Sequence, residues 1–167
     1  MDGLKEACIK CKETMDIYTK FKEEKSIIRK KCDDKIKLEM NEFKAELDEI
    51  AECADILLDN FSHYGASIRF PVTVSGEDDA VVICFNQENY SVTKLDTNEV
   101  LYKSDEDITN FPISAYEYLI VNRYTIINKT MDIIISFLNS ETDEMNKKMS
   151  KETEYYDRLC ERLFNEE

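Results

Sequence analysis

Residues 61–74 read Phe61-Ser62-His63-Tyr64-Gly65-Ala66-Ser67-Ile68-Arg69-Phe70-Pro71-Val72-Thr73-Val74, and the periodicity of the chain changes within them. Beyond Gly65, Ile68, Phe70, Val72 and Val74 alternate with Arg69, Pro71 and Thr73, the two-residue repeat of a half-buried strand. Before Gly65, apolar residues recur at steps of three or four, from Leu4 through Met15, Phe21, Ile28, Met40, Leu47 and Leu57 to Phe61. Their mean spacing lies between the 3.5 of a coiled coil and the 3.6 of a straight helix. One uninterrupted helix over residues 4–61 is expected, with Gly65 in the place of a C-terminal glycine.

On the other side, Gly76-Glu77-Asp78-Asp79 reads as a turn, residues 80–85 as a β-branched strand, and Asn86 to Asn89 as a second turn. Residues 90–95 alternate again, Asp96-Thr97-Asn98 turns, and residues 100–103 close the set. Four short strands with tight connections predict a meander or a pair of hairpins, and Pro71 places the first strand at an edge. From Ile113 the helical period resumes through Tyr116, Ile120, Tyr124, Ile127, Ile134, Met145, Tyr156 and Leu163, with a possible break at Asn139-Ser140. Residues 115–138 are apolar enough to cover a face of the sheet or a second subunit as well.

The expected fold is therefore α+β: two long antiparallel, coiled-coil-like helices flanking a small four-stranded antiparallel β-sheet. It forms a single elongated unit, with an N-terminal helix over 1–62, a β-head over 66–104 and a C-terminal helix over 113–165. Each helix carries an apolar stripe that needs cover, and the simplest cover is the other helix. Charge agrees. Residues 1–37 hold 11 bases and 8 acids, and residues 140–167 hold 5 bases and 9 acids, so an antiparallel hairpin sets opposite signs side by side.

The 167 residues carry a formal charge of −14, which disfavours direct contact with nucleic acid and favours a basic protein partner. Residues 38–60 alone hold 8 acids and one base. Glu42, Glu46, Asp48, Glu49, Glu52, Asp55 and Asp59 make an acidic stripe at helical spacing, and Asp78, Asp79, Asp105, Glu106 and Asp107 add to it from two loops. These twelve are the candidate partner-binding residues. A dense, stiff, one-signed surface of this kind is suited to occupying the nucleic-acid groove of another protein, as a viral or mobile-element inhibitor would. The competing interpretation is an ordinary solvated face.

Other chemistries are weaker. Cys8-Ile9-Lys10-Cys11 has the spacing of a zinc or redox pair, but no second ligand pair and no βαβ context accompany it. The six cysteines are expected to be reduced thiols, four of them at core-like helical positions. His63 is expected to be a helix-terminal residue rather than a general base. Asp105-Glu106-Asp107 lacks the glycine and spacing of a calcium loop. Phe111, Tyr116, Tyr118 and Tyr124 are expected to serve the core rather than an aromatic binding patch. No nucleophile elbow, zinc-protease or phosphate-loop motif occurs, so no enzyme activity, cofactor or metal is expected. No apolar run reaches the ~20 residues of a membrane span, and no apolar leader precedes Lys12, so a cytoplasmic protein is expected.

The succession of long helix, two short hairpins and long helix resembles the α-type prefoldin subunit over the whole chain, as a layout. The head segment from Phe70-Pro71-Val72-Thr73-Val74 to Tyr102 carries the likeness. Asn86-Gln87-Glu88-Asn89 stands where that family has a glycine-rich turn. The resemblance implies a sheet that assembles with other subunits and helix tips that grip unfolded clients. A coiled-coil chaperone or assembly subunit, and with it a homo-oligomer, is thus the alternative to the acidic inhibitor.

Overall fold

The structure is a computed structural model and describes residues 2–76 and 79–164. Helix α1 spans Asp2–Asn60 and helix α2 spans Ile113–Phe164. Between them in the chain lie strands β1 (Ser67–Ser75), β2 (Asp79–Asn86), β3 (Tyr90–Lys94) and β4 (Val100–Lys103). The strands form one antiparallel sheet in the order β1-β2-β3-β4, a meander with β1 and its Pro71 at an edge. This is the expected α+β layout.

Two details of the helices differ from expectation. α1 stops at Asn60, and Gly65 (φ +70°) terminates a separate 3-10 turn over Ser62–Tyr64, its N–H donating to the Ser62 carbonyl. α2 runs unbroken past Asn139-Ser140. The Thr142 hydroxyl donates to the Leu138 carbonyl across that region, a local bond the helix accommodates.

The strand alternation sorts residues to two faces. Phe70 stands opposite Ile83, Phe85 opposite Tyr90, Ile83 opposite Val92, and Val92 opposite Tyr102. All of these are buried. Both helices lie across this one face. α1 contributes Met40, Phe43, Leu47, Ile50, Ala54 and Leu57, and α2 contributes Tyr116, Leu119, Ile126 and Ile134. Each large side chain so buried adds roughly 1.5–3 kcal/mol before the cost of ordering it. An aromatic chain runs Tyr64–Phe137–Phe70–Phe85–Tyr90–Tyr102–Phe111, with successive ring centroids 5.6 to 6.1 Å apart.

The expected antiparallel hairpin does not form. Arg123 early in α2 reaches Glu39, Glu42 and Glu46 of α1, while Glu141 further along α2 meets His63 and Tyr64 beyond the end of α1. The two helices run in the same direction. The reason lies in the sheet. Its apolar face is too large to sit at a helix tip, so it lies along residues 40–58 of α1. The meander and the connector then return the chain to the level of Lys37, where Asp107 lies near it, before α2 starts.

Among the described residues, helix pairing is therefore confined to the middle of the molecule, and no coiled coil joins the two ends. Residues 3–32 of α1 and 142–164 of α2 are exposed throughout and point away from the body in opposite directions. By helical rise these tails are about 45 and 35 Å long. Their apolar stripes are uncovered: Met15, Phe21 and Ile28 are 57–64% exposed, and Leu163 is 66% exposed. Cys8, Cys11, Cys32 and Cys160 lie on these tails as exposed free thiols, against the expectation that they pack in a core.

Candidate protein-binding surface

The acidic stripe on α1 is divided by the fold into three parts. The first is claimed by Arg123. This side chain is 9% exposed, because it follows Leu119 by four residues and precedes Ile126 by three, on the face of α2 turned inward. Its Nε and Nη2 donate to the two carboxylate oxygens of Glu46 at 2.9 and 2.7 Å, and its Nη1 donates to Glu42 at 2.7 Å and Glu39 at 3.3 Å. These hydrogen bonds hold the guanidinium charged well above its ordinary range. Glu42 and Glu46 thus serve the helix pair.

Asp48 forms the second part. It accepts from the Tyr90 hydroxyl at 2.6 Å and from Lys44 Nζ at 2.7 Å, tying β3 to α1. Burial first, and then the bond to Asp48, push the Tyr90 phenol far up.

The third part remains turned to solvent. Glu49, Glu52 and Asp59 are exposed and Asp55 is half-buried beside them. Asp59 accepts from Gln87 at 3.2 Å. Burial raises the Asp55 carboxyl, and the Asp59 and Glu52 charges raise it further.

The loop acids scatter. Asp79 accepts from the Tyr118 hydroxyl, Glu106 pairs with Lys103 at 2.7 Å, and Asp107 caps the short 3-10 turn over Ile108–Asn110 by accepting from the Thr109 N–H. The Thr109 bonds hold the Asp107 carboxyl below the usual range. Asp105 is exposed, and Asp78 lies outside the described residues. The eleven described candidates therefore do not form one surface.

The sequence pattern did not reveal a groove beside Glu49, whereas Glu52 and Asp55 lie on another side of α1, near the turn between β2 and β3. The groove lies between α1 and α2, with a volume of about 490 Å³. Glu46, Glu49, Ile50 and Cys53 form one wall, and Tyr124, Met131, Ile135 and Leu138 are among the residues of the other. Tyr124 is 74% exposed, so the aromatic set divides: Tyr116 is buried, Phe111 and Tyr118 are half-buried, and Tyr124 faces water. The groove is apolar along its floor and acidic along one rim. Only the direction of the helices creates it, which is why helical periodicity alone did not show it.

His63, 61% exposed, lies 2.8 Å from Glu141 through Nε2. The Tyr64 hydroxyl donates to the same carboxylate, and burial and that bond push its phenol up to about 12. This cluster latches α2 to the end of α1. Among the described residues no group of histidine, cysteine and carboxylate side chains could hold a metal ion, and no helix is long and apolar enough to cross a membrane. The chain matches no protein-family model, no curated protein and no solved structure.

Proposed function

We propose that this chain is a non-enzymatic protein-binding module that takes a basic amphipathic helix into the groove between α1 and α2. The observation that carries this reading is the juxtaposition of an apolar floor (Ile50, Met131, Ile135) with the carboxylates of Glu46 and Glu49 along one wall of the groove. Apolar anchors supply affinity for such a helix, and the carboxylates select basic flanking residues and speed encounter. A basic protein of the nucleic-acid-handling kind fits the same description, and the chain would act on it as a competitor.

The test is fluorescence anisotropy with a labelled synthetic Lys/Leu amphipathic helix. Binding should weaken about tenfold between low and physiological salt, as exposed charges are screened. Replacing Glu49→Lys should abolish it. A probe that does not bind, or binds with no regard to salt or to this charge, overturns the proposal.

The tail of α2 favours a second reading. Met145, Met149, Tyr156 and Leu163 are exposed along an unpaired helix, which suits a chaperone-like or assembly subunit that holds non-native clients. Suppression of client aggregation, lost on replacing Met149 and Leu163 with Ser, is the expected result.

A further inference from the structure

Besides the faces it turns to the sheet and to α1, α2 carries a second apolar seam. From Val121 to Leu159 the seam positions follow one another at strictly alternating steps of three and four, the 3.5-residue period of a coiled coil. All are exposed except Leu138, which is half-buried. Val121 is 81% exposed and Met149 58%. Only Asn128, Thr142 and Glu152 interrupt the apolar run. The first half of the seam runs along the groove, where Tyr124, Asn128, Met131, Ile135 and Leu138 line the α2 side. The second half lies on the bare tail. One flank of that tail is basic: Lys148, Lys151, Arg158 and Arg162 fall in helical register with Tyr155, with no acid among them. The tail cannot fold back onto its own groove, because α2 is unbroken from Ile113 to Phe164. A second copy can bring it there.

Resting on the groove reading above, we propose that the occupant of the groove is the α2 tail of a second copy of this chain, in a closed antiparallel dimer with its two-fold axis beside Ser140. Seam positions equidistant from Ser140 then meet. Val121 meets Leu159, Tyr124 meets Tyr156, Met131 meets Met149, Ile135 meets Met145, and Leu138 meets Thr142. The same register sets Asn128 against Glu152, so the amide donates to the carboxylate and neither polar group is left against an apolar one. A parallel pair would set Glu152 against Glu152 and leave both grooves empty. On a straight helix the seam drifts about 20° per heptad, and a left-handed supercoil of the pair takes up that drift.

The charges fit this register. Arg123 lies level with Glu42, so Glu49, two turns on, lies level with Thr130. The partner residue at that level is Ser150, between Lys148 and Lys151. Like flanks face each other in an antiparallel pair, so Lys148 and Tyr155 pass over Ile134 and Ile127, on the side where Glu46 and Glu49 wall the groove. Glu141, which approaches its own copy near the axis, already accepts from Tyr64 and lies against His63. Every contact is made twice, so the assembly closes at two chains and leaves no free groove.

The experiment is mass measurement by light scattering on the full chain, with reductant present to keep the thiols from cross-linking. The unaltered chain should be a dimer. Asn128→Glu sets carboxylate against carboxylate in the seam and should weaken dimerisation about tenfold or more. Adding Glu152→Lys makes the two signs opposite and should restore the dimer, whereas in a parallel pair it would set like against like at both levels. The tail variant Lys148→Glu/Lys151→Glu and the groove variant Glu49→Lys should each weaken dimerisation as well. Mixed together, these two should form a heterodimer, because both cross-pairs are then of opposite sign. The helical circular dichroism should stay intact throughout, since all five side chains are exposed.

A chain that is monomeric at every concentration, a dimer indifferent to the charge changes, a paired seam variant no tighter than Asn128→Glu alone, or a mixture without heterodimer overturns the self-pairing. The probe helix separates these outcomes from failure of the groove itself. An unaltered chain that is monomeric and binds the Lys/Leu helix removes the second copy as occupant and leaves the groove reading standing. The tail variant, its groove vacated, should bind the probe. If it ignores the probe, the groove reading fails and the self-pairing fails with it.

Discussion

Arg123 and Glu46, 77 positions apart in the chain, are joined by two parallel hydrogen bonds of 2.9 and 2.7 Å, and this fork sets the level at which the two long helices meet. Bidentate pairing of this kind fixes orientation as well as adding energy. Replacing Arg123→Ala leaves Glu39, Glu42 and Glu46 facing one another with no cation between them. The loss should be about 2–3 kcal/mol, below the cost of breaking a fully buried pair because the three carboxylates are partly solvated. Arg123→Lys should lose less, since it keeps the charge and gives up the fork. Urea denaturation measures both. A variant with an unchanged midpoint would show that apolar packing alone holds the helices in register.

The body and the tails should respond differently to truncation. Leu47 is fully buried under the sheet, and Leu47→Ala should cost about 2–4 kcal/mol through lost transfer energy and the cavity left behind. Leu163 is 66% exposed, and Leu163→Ala should stay within about 0.5 kcal/mol in the same assay. A zipped antiparallel hairpin would make both substitutions costly.

Alkali should unfold the protein from its phenols. Tyr64 and Tyr102 are pushed up to about 12 by burial, and Tyr90, Tyr116 and Tyr118 are also raised, each first by burial. A raised folded-state pKa means that the native state holds the proton more tightly. That contribution is fully present below the unfolded value of ~10 and is lost as pH climbs above it. Tyrosinate absorbance from these five residues should appear together with the loss of helix, above pH ~10. Their ionisation with the circular dichroism unchanged would contradict the burial argument.

Asp55 should behave in the opposite sense to an ordinary stabilising carboxylate. Its folded pKa is raised by burial, then by Asp59 and Glu52, so its negative charge opposes folding at neutral pH. The stability linked to its neutral form is present below the unfolded value of ~3.9 and lost as pH rises through the raised one. Asp55→Asn should therefore raise the urea midpoint modestly at pH 7 and leave it nearly unchanged near pH 3. A lower midpoint at pH 7 would mean that the carboxylate makes a favourable contact that outweighs burial and repulsion.

Much of the fold was legible because it depends on local period. The switch at Gly65, the four strands, the edge position of Pro71 and the extent of both helices all follow from spacings of two against three or four. The direction of α2 was not legible. An apolar stripe states that a helix face must be covered, but it does not say by what or in which sense. Here the sheet, through Phe70, Ile83 and Tyr102, competed for the faces that the helices would have offered each other. The same competition fragmented the acidic stripe. Glu42 and Glu46 looked like surface charge until Arg123 reached them. The one signal was that this arginine sits in helical phase with Leu119 and Ile126 in a run of residues otherwise fit for a core.

The parallel course of α1 and α2 gives the molecule two opposed poles. Residues 2 and 164 are held on the order of 100 Å apart by rods that meet only in the middle. Anything attached at one pole would stand clear of whatever engaged the other, at a distance set by helical rise. Adding or deleting whole turns in either rod would lengthen or shorten that span by about 5.4 Å each, without touching the packed centre.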